Sequence, residues 1–433
     1  MVLLMKKLLG ILVLGLLWCS VGIAEKYPKI KDPVKSISGS IKKLKIPGKV
    51  NLKDYKVKNP GSKIYIDVVK RRLELKGYKN NHRLCKPSKS YELFPSMPEI
   101  GGHKWKQEGA SPIDFINFAE PMIEIINKHT RGWLATGDAF YLDKMKEQIL
   151  LWSKENSFNV LISDGYNKEW DSDFAYIDTL ENVRQTLVGM LIAFDVLRQE
   201  KALTVEEDKI IYEWFEKTVA KTSIGTNDGS KDKMTPGNHT EASKARIYTL
   251  WSILSGDEKY FQAGLKFYGI ALNVTRKDGS SSHEIRKQKG KSNRSKRGLL
   301  KMTQVVGGMV MIAEVFANQG YDLYSFETKK GVTVHKMIDF LITYLGYPDS
   351  GAKKKAYIDP EIMETKRILK KTGINDNTLG WAHAYVKRFP NKETTKKLIK
   401  YYLEPYGWSR YIQNSGGFGI HMSCAYANIN KIK

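Results

Sequence analysis

The chain has 433 residues and carries 71 Lys and Arg against 46 Asp and Glu, a formal net charge of +25. So strong a positive excess raises the local concentration and association rate of polyanions, even where most of the lysines only coat a solvated surface. Beyond the N-terminus no stretch is long or uncharged enough to cross the ~30 Å hydrocarbon layer of a bilayer, which excludes a membrane-spanning body.

The N-terminus reads as an export signal. Lys6 and Lys7 follow a short start, residues 8–21 are apolar, and Gly22 and Ala24 are the small residues a signal peptidase needs. The expected signal peptide is 1–24; Cys19, preceded by Trp18, matches a lipoprotein cleavage site poorly, so cleavage after Ala24 is preferred. Losing Lys6 and Lys7 with it takes the charge from +25 to +23. In an exported, periplasmic or secreted protein the expected polyanion is an acidic polysaccharide, with no nucleic-acid partner. Cys85 and Cys424 remain in a compartment that permits disulfides. Either they bridge, tying the N-terminal region to the C-terminus, or they are two buried thiols.

Residues 25–110 are rich in Lys, Pro, Gly and Ser, with turn signals at Asn59-Pro60-Gly61 and Pro95-Ser96-Met97-Pro98. One short helix is predicted at 64–75; otherwise this segment reads as an extended arm and lid wrapped on a body. From Asp114 onward apolar residues recur at period 3.6. Helices are predicted at 115–126, 139–152, 180–197, 206–220, 241–254, 258–272, 307–317 and 334–344, with weaker ones at 378–386 and 394–403. Strand signals are nearly absent. Paired amphipathic helices must stack, because neither member of a pair can bury its apolar face alone. No short fixed period marks a regular solenoid. The expected architecture is all-α: an irregular (α/α) toroid or barrel of helical hairpins over 111–433, with an extended N-terminal arm, working as a monomer.

Three stretches between helices hold more polar groups than a connection needs. The first is Thr235-Pro236-Gly237-Asn238-His239-Thr240-Glu241, where Asn238 and Glu241 also have capping-box spacing. The second runs from Asp278-Gly279 through His283-Glu284-Ile285-Arg286 to Lys301. The third joins Trp170-Asp171-Ser172-Asp173 to Glu181-Asn182-Val183-Arg184.

From about Phe215 to Phe326 these pieces resemble, in order and spacing, the periplasmic alginate lyases, the poly(β-D-mannuronate) lyases of the helical-toroid type. Those proteins carry Asn-Asn-His before a helix with Trp; here Gly237-Asn238-His239 precedes Trp251. They continue with a loop ending in Asn-Glu and an Arg-rich stretch, matched by His283-Glu284, and a helix ending in Asn-Gly-x-Asp-Leu, matched by Gln319-Gly320-Tyr321-Asp322-Leu323. Weaker similarity covers most of the remaining body.

The resemblance implies β-elimination at a uronic acid. That reaction needs donors to neutralise the carboxylate as the C5 proton leaves, a base for the proton and an acid for the leaving oxygen. Carried over, Asn238 holds the carboxylate and His239 sits beside C5 as base or charge neutraliser. The arginine is either Arg286, counting forward from Glu284, or Arg294, counting back from Leu323, with Arg297 matching a second arginine. Glu284, Asn182 and Arg184 fall on substrate-binding positions, and Lys104 and Trp105 on a basic, aromatic lid.

The chain departs from the pattern at one decisive place. The family's Tyr, seven residues after the Arg, is here Asn293 or Lys301. A lysine can act as base where cationic neighbours such as Arg294, Lys296 and Arg297 lower its pKa, or a phenol can come from Tyr166 or Tyr176. Two other readings remain: a uronan-binding protein without activity, and a glycoside hydrolase using paired carboxylates such as Asp171 and Asp173. No cofactor is expected: the histidines show no metal-ligand spacing, no Gly-rich phosphate loop precedes a helix, and no Gly-x-Ser-x-Gly elbow occurs.

Overall fold

Where apolar residues recur three and four apart, the chain folds as helices whose apolar stripes meet. This computed structural model describes residues 32–46, 50–79, 81, 85, 93, 99–100, 126–158, 160–161, 174–222, 235–285, 298–344, 379–403 and 422–427. The helices are α1 (Pro33–Ser36), α2 (Val68–Lys76), α3 (126–136), α4 (Ala139–Lys154), α5 (Phe174–Gln199), α6 (Val205–Thr222), α7 (His239–Ser255), α8 (Glu258–Val274), α9 (Gly298–Asn318), α10 (Val334–Tyr344), α11 (Trp381–Arg388), α12 (Glu393–Leu398) and α13 (Met422–Tyr426). A π-helical turn, Ile399–Leu403, follows α12. Two two-residue strands, Glu99–Ile100 and Val160–Leu161, pair in parallel. The architecture is an all-α toroid of helical hairpins.

Helix α7 is the hub, packed on α5, α6, α8 and α9. Every residue from Thr240 to Leu254 is buried. Its hairpin partner α8 begins three residues after α7 ends: Gly256 takes a left-handed φ of 75° and Asp257 caps α8 by accepting the Lys259 N–H at 2.8 Å. Phe261 of α8 stacks on Phe316 of α9 with ring centroids 3.7 Å apart. Each such fully buried ring contributes about 1.5–3 kcal/mol.

Differences from the predicted helices have local causes. The 334–344 helix has the predicted bounds. The 307–317 helix starts instead at Gly298, because Gly307-Gly308 does not break it; Ala242 of α7 lies over Gly308, and the small residue lets the two helices approach. The 64–75 helix starts at Val68, since Asp67 caps it through the Lys70 N–H. Most of the 115–126 prediction lies outside the described residues.

Among the described residues between 32 and 68 the one ladder contact is the Leu44–Thr328 bridge, and several backbone donors there are taken by side chains of the body. Ser38 N–H donates to Glu241 at 2.6 Å, Lys58 and Asn59 N–H to Gln319 at 2.8 and 2.9 Å, Lys63 and Ile64 N–H to Asp195 at 2.6 and 3.0 Å, and Val68 N–H to Gln199 at 2.8 Å. Carbonyls around α1 receive two lysines. Lys244 Nζ donates to Ser36 O at 2.8 Å, and Lys266 Nζ to Val34 O and Ile37 O at 2.9 and 2.7 Å. At the far end Cys85 and Cys424 form a disulfide with Cα atoms 5.0 Å apart. Beside it Arg71 donates to Cys424 O within α13 and to Ala427 O just after it. The bridge is thus the outcome of the two the cysteines allowed, and it closes across 339 residues.

Lys244 is 1% exposed. Burial, then the charges of Arg184 and Lys266, push its ammonium down to about 7, with Glu241 opposing. The unfolded chain holds that proton up to the ordinary lysine value of about 10.4, so above pH 7 it binds more protons than the folded state and stability rises with pH. Between pH 7 and about 10 the protein should gain up to a few kcal/mol relative to Lys244→Met. Denaturant midpoints for both proteins at each pH test this, and parallel profiles would refute it.

Candidate active site

The site begins with the unfilled hydrogen-bonding groups at the start of α7. Asn238 is the N-cap; its Oδ1 accepts the Glu241 N–H at 2.9 Å. Glu241 reaches back past the cap, its Oε2 accepting the Gly237 N–H at 2.7 Å while Oε1 takes Ser38. The capping-box spacing is therefore real, with the reciprocal bond displaced by one residue. Gly237 has φ 75°, and a Cβ there would lie 3.0 Å from Val274 and 3.1 Å from Ala271. That left-handed position suits Gly, and Asn next best, which accounts for Gly in place of the family's first Asn.

His239, the first residue of α7, is not a loose surface side chain. Glu284 Oε1 accepts its backbone N–H at 2.9 Å and lies 2.9 Å from its ring Nδ1. Glu284 is placed by a knotted turn after α8. Thr275 bridges Ser281, Asp278 accepts from Ser280 N–H and Oγ–H, Ile285 N–H donates to Ser281 O, and Arg276 donates to Ile285 O. Burial opposes ionisation of Glu284, yet the hydrogen bonds and charge of His239, with Lys301, hold its carboxyl below the ordinary glutamate range. A carboxylate at a helix N-terminus also meets the positive end of the helix dipole.

A Cβ on Gly298 would fall 2.6 Å from Glu284 O, so α9 starts against the Glu284 backbone. That puts Lys301, in the first turn of α9, within electrostatic range of Glu284.

Four of the predicted residues thus gather: Asn238, His239, Glu284 and Lys301. Arg184 is 1% exposed and sits within range of Lys244 on α7, below the surface rather than on it. Asn182 and Tyr176 belong to α5, with their side chains outside the described part of the chain. Lys104, Trp105, Arg286, Arg294, Arg297, Tyr166, Asp171 and Asp173 lie outside the described residues. Sequence reasoning passed over Lys244 and the link from Glu241 to Ser38. The available signal was a Glu and a Lys three apart within a helix otherwise fit for complete burial.

An all-α toroid that presents Asn and His at a half-buried helix start, backed by a carboxylate and a lysine, has the make-up of a polysaccharide lyase for an acidic sugar. The family model described as Alginate lyase matches residues 118–350, more than half of the chain and all four gathered residues. The chain belongs to the alginate lyase family and is a polysaccharide lyase. Its fold is similar to that of alginate lyase A1-III from Sphingomonas species A1, at 18% identity and TM-score 0.62 over 80% of this chain and 93% of that one. A tyrosine-to-phenylalanine variant of alginate lyase A1-III complexed with tetrasaccharide aligns at 16% identity and TM-score 0.64, over 88% and 99%. An alginate lyase from Bacteroides ovatus aligns at 13% identity and TM-score 0.54, over 85% and 99%. No curated protein sequence matches the chain.

Because Asn238 Oδ1 is engaged in the cap, its amide NH2 is what it can offer a substrate. Asn238→Asp keeps the cap acceptor and loses the donor, so thermal stability should hold while turnover falls at least tenfold. Asn238→Ala should lose both, with about 1 kcal/mol of stability. If the Asp variant turned over normally, Asn238 would be a cap alone.

Proposed function

We propose that the protein is exported and cleaves alginate, polymannuronate or a related uronan by β-elimination. The observation that carries this reading is the gathering of Asn238, His239 and Lys301 around one helix start, inside the segment that matches the alginate lyase family. The positive charge of the chain and the tetrasaccharide bound by a structural relative support an anionic sugar polymer as substrate. The N-terminal apolar run supports export, and among the described residues no helix is long and apolar enough to cross a membrane.

In this reading the Asn238 amide, with an arginine from 286–297, draws charge from the uronate carboxylate and so acidifies C5. A base removes the C5 proton, the C5–H electrons form the C4–C5 double bond, the C4–O bond breaks, and the departing oxygen takes a proton from an acid. His239 stands beside C5. Lys301, seven residues after Arg294, takes the place of the family's phenol and serves the leaving oxygen.

Incubation with polymannuronate, polyguluronate or glucuronan should release products with the ultraviolet absorbance of an unsaturated uronate. New reducing ends without that absorbance would mean hydrolysis, and polymer binding without either would mean a binding protein. Within the lyase, Lys301→Ala should reduce kcat at least a hundredfold and leave polymer binding largely intact, as befits a group used in the transition state. Full activity in that variant would move the acid to a phenol elsewhere. Polymer affinity should also fall steeply with salt, since the Debye length shrinks to ~3 Å at 1 M; an unchanged affinity would rule out electrostatic capture.

A further inference from the structure

We infer that Glu284 is a positioning residue for His239 rather than a substrate contact: it locks the imidazole with Nδ1–H on its own carboxylate and leaves Nε2 as the basic nitrogen, which makes His239 the base for C5. The inference rests on the lyase reading above for the identity of the proton His239 removes, and on geometry alone for the lock.

A single carboxylate oxygen, Glu284 Oε1, meets two atoms of one residue, the backbone N and the ring Nδ1 of His239, each at 2.9 Å. The backbone contact fixes where the carboxylate stands relative to α7; the ring contact then fixes the rotation of the imidazole. An ionised carboxylate only accepts, so the ring nitrogen facing it must carry hydrogen, and the neutral imidazole keeps its lone pair on Nε2. A carboxylate behind a catalytic imidazole also stabilises the imidazolium that forms when the ring takes a proton.

Glu284 is poorly suited to touch the substrate. It is 7% exposed, and it is anionic where a uronate brings a second anion. Among the described residues the charged groups facing it are His239 from α7 and Lys301 from α9. Its backbone is held from behind by the Thr275–Ser281 turn and by Gly298, so the carboxylate is carried on a rigid base. The same restraint that brings Lys301 near thus sets the histidine. The arrangement separates two roles that the sequence left joined in His239: neutralising charge is left to Asn238, and proton removal to the imidazole.

The test uses the full mature chain. In 15N-labelled wild-type protein, the imidazole of His239, assigned by its disappearance in His239→Gln, should in its neutral form carry the hydrogen on Nδ1 and none on Nε2. The opposite tautomer would overturn the proposal, whether or not any uronan is cleaved, so this reading survives or fails apart from the lyase assignment. With the polymer the wild type cleaves, Glu284→Gln should lower kcat about 10–100-fold with KM within about twofold, and Glu284→Asp should recover part of the loss. A raised KM with unchanged kcat would instead make Glu284 a substrate contact and overturn the proposal.

Discussion

The start of α7 is half-buried, with Gly237 and Thr240 enclosed and Asn238 and His239 partly open, and its donors, which have no partner within the helix, must find acceptors elsewhere. Much of the molecule is organised around supplying them. Asn238 takes the Glu241 N–H, Glu284 takes the His239 N–H, and Glu241 takes the Gly237 N–H one step before the helix. Each acceptor comes from a different place and does a second job. In the proposed mechanism Asn238 turns its amide NH2 to the substrate, while Glu284 holds the His239 ring and Glu241 holds the arm through Ser38. The geometry proposed for catalysis is thus the by-product of a problem in helix termination.

The same economy governs charge. Bringing Glu241 and Glu284 to the helix start buries carboxylates, and the chain answers with cations placed on neighbouring elements: Lys244 and Lys266 near the first, Lys301 near the second. Burial pushes both Lys244 and Lys266 toward neutrality, and the carbonyls around α1 accept their hydrogen bonds. The arm therefore caps lysines that would otherwise be stranded, while its own N–H groups fall to Glu241, Gln319, Asp195 and Gln199. Arm and body satisfy each other's polar groups, which is why an irregular segment can lie on a helical surface without a sheet to hold it.

Local signals were readable from the chain because their causes are local. Apolar period located the helices, and the Asn238 to Glu241 spacing located a cap that the fold contains. What escaped the sequence was set by contacts between distant segments. The approach of Ala242 over Gly308 lets α9 run through two glycines that look like a break. The partner of Cys85 is decided by where α13 lands. Glu284 reads as one more polar residue on a substrate-binding position until the turn from Thr275 to Ile285 brings it under His239. Lys244 reads as a surface charge because its partners, Ser36 and Arg184, are 208 and 60 residues away by number and meet it only in the fold.

The absence of the family's tyrosine also looks different once the base of the 286–297 stretch is considered. A longer or shorter connection between α8 and α9 would ordinarily shift the register of everything that follows. Here Glu284 and Gly298 lie against each other, a contact that a side chain at 298 would block, and α9 packs on α7, so the start of α9 is set by its own packing. A residue in the first turn of α9 is held by that packing, and Lys301 there lies within electrostatic range of Glu284. Under the proposed mechanism a lysine at this place instead of a phenol would change the chemistry of one group without moving its neighbours.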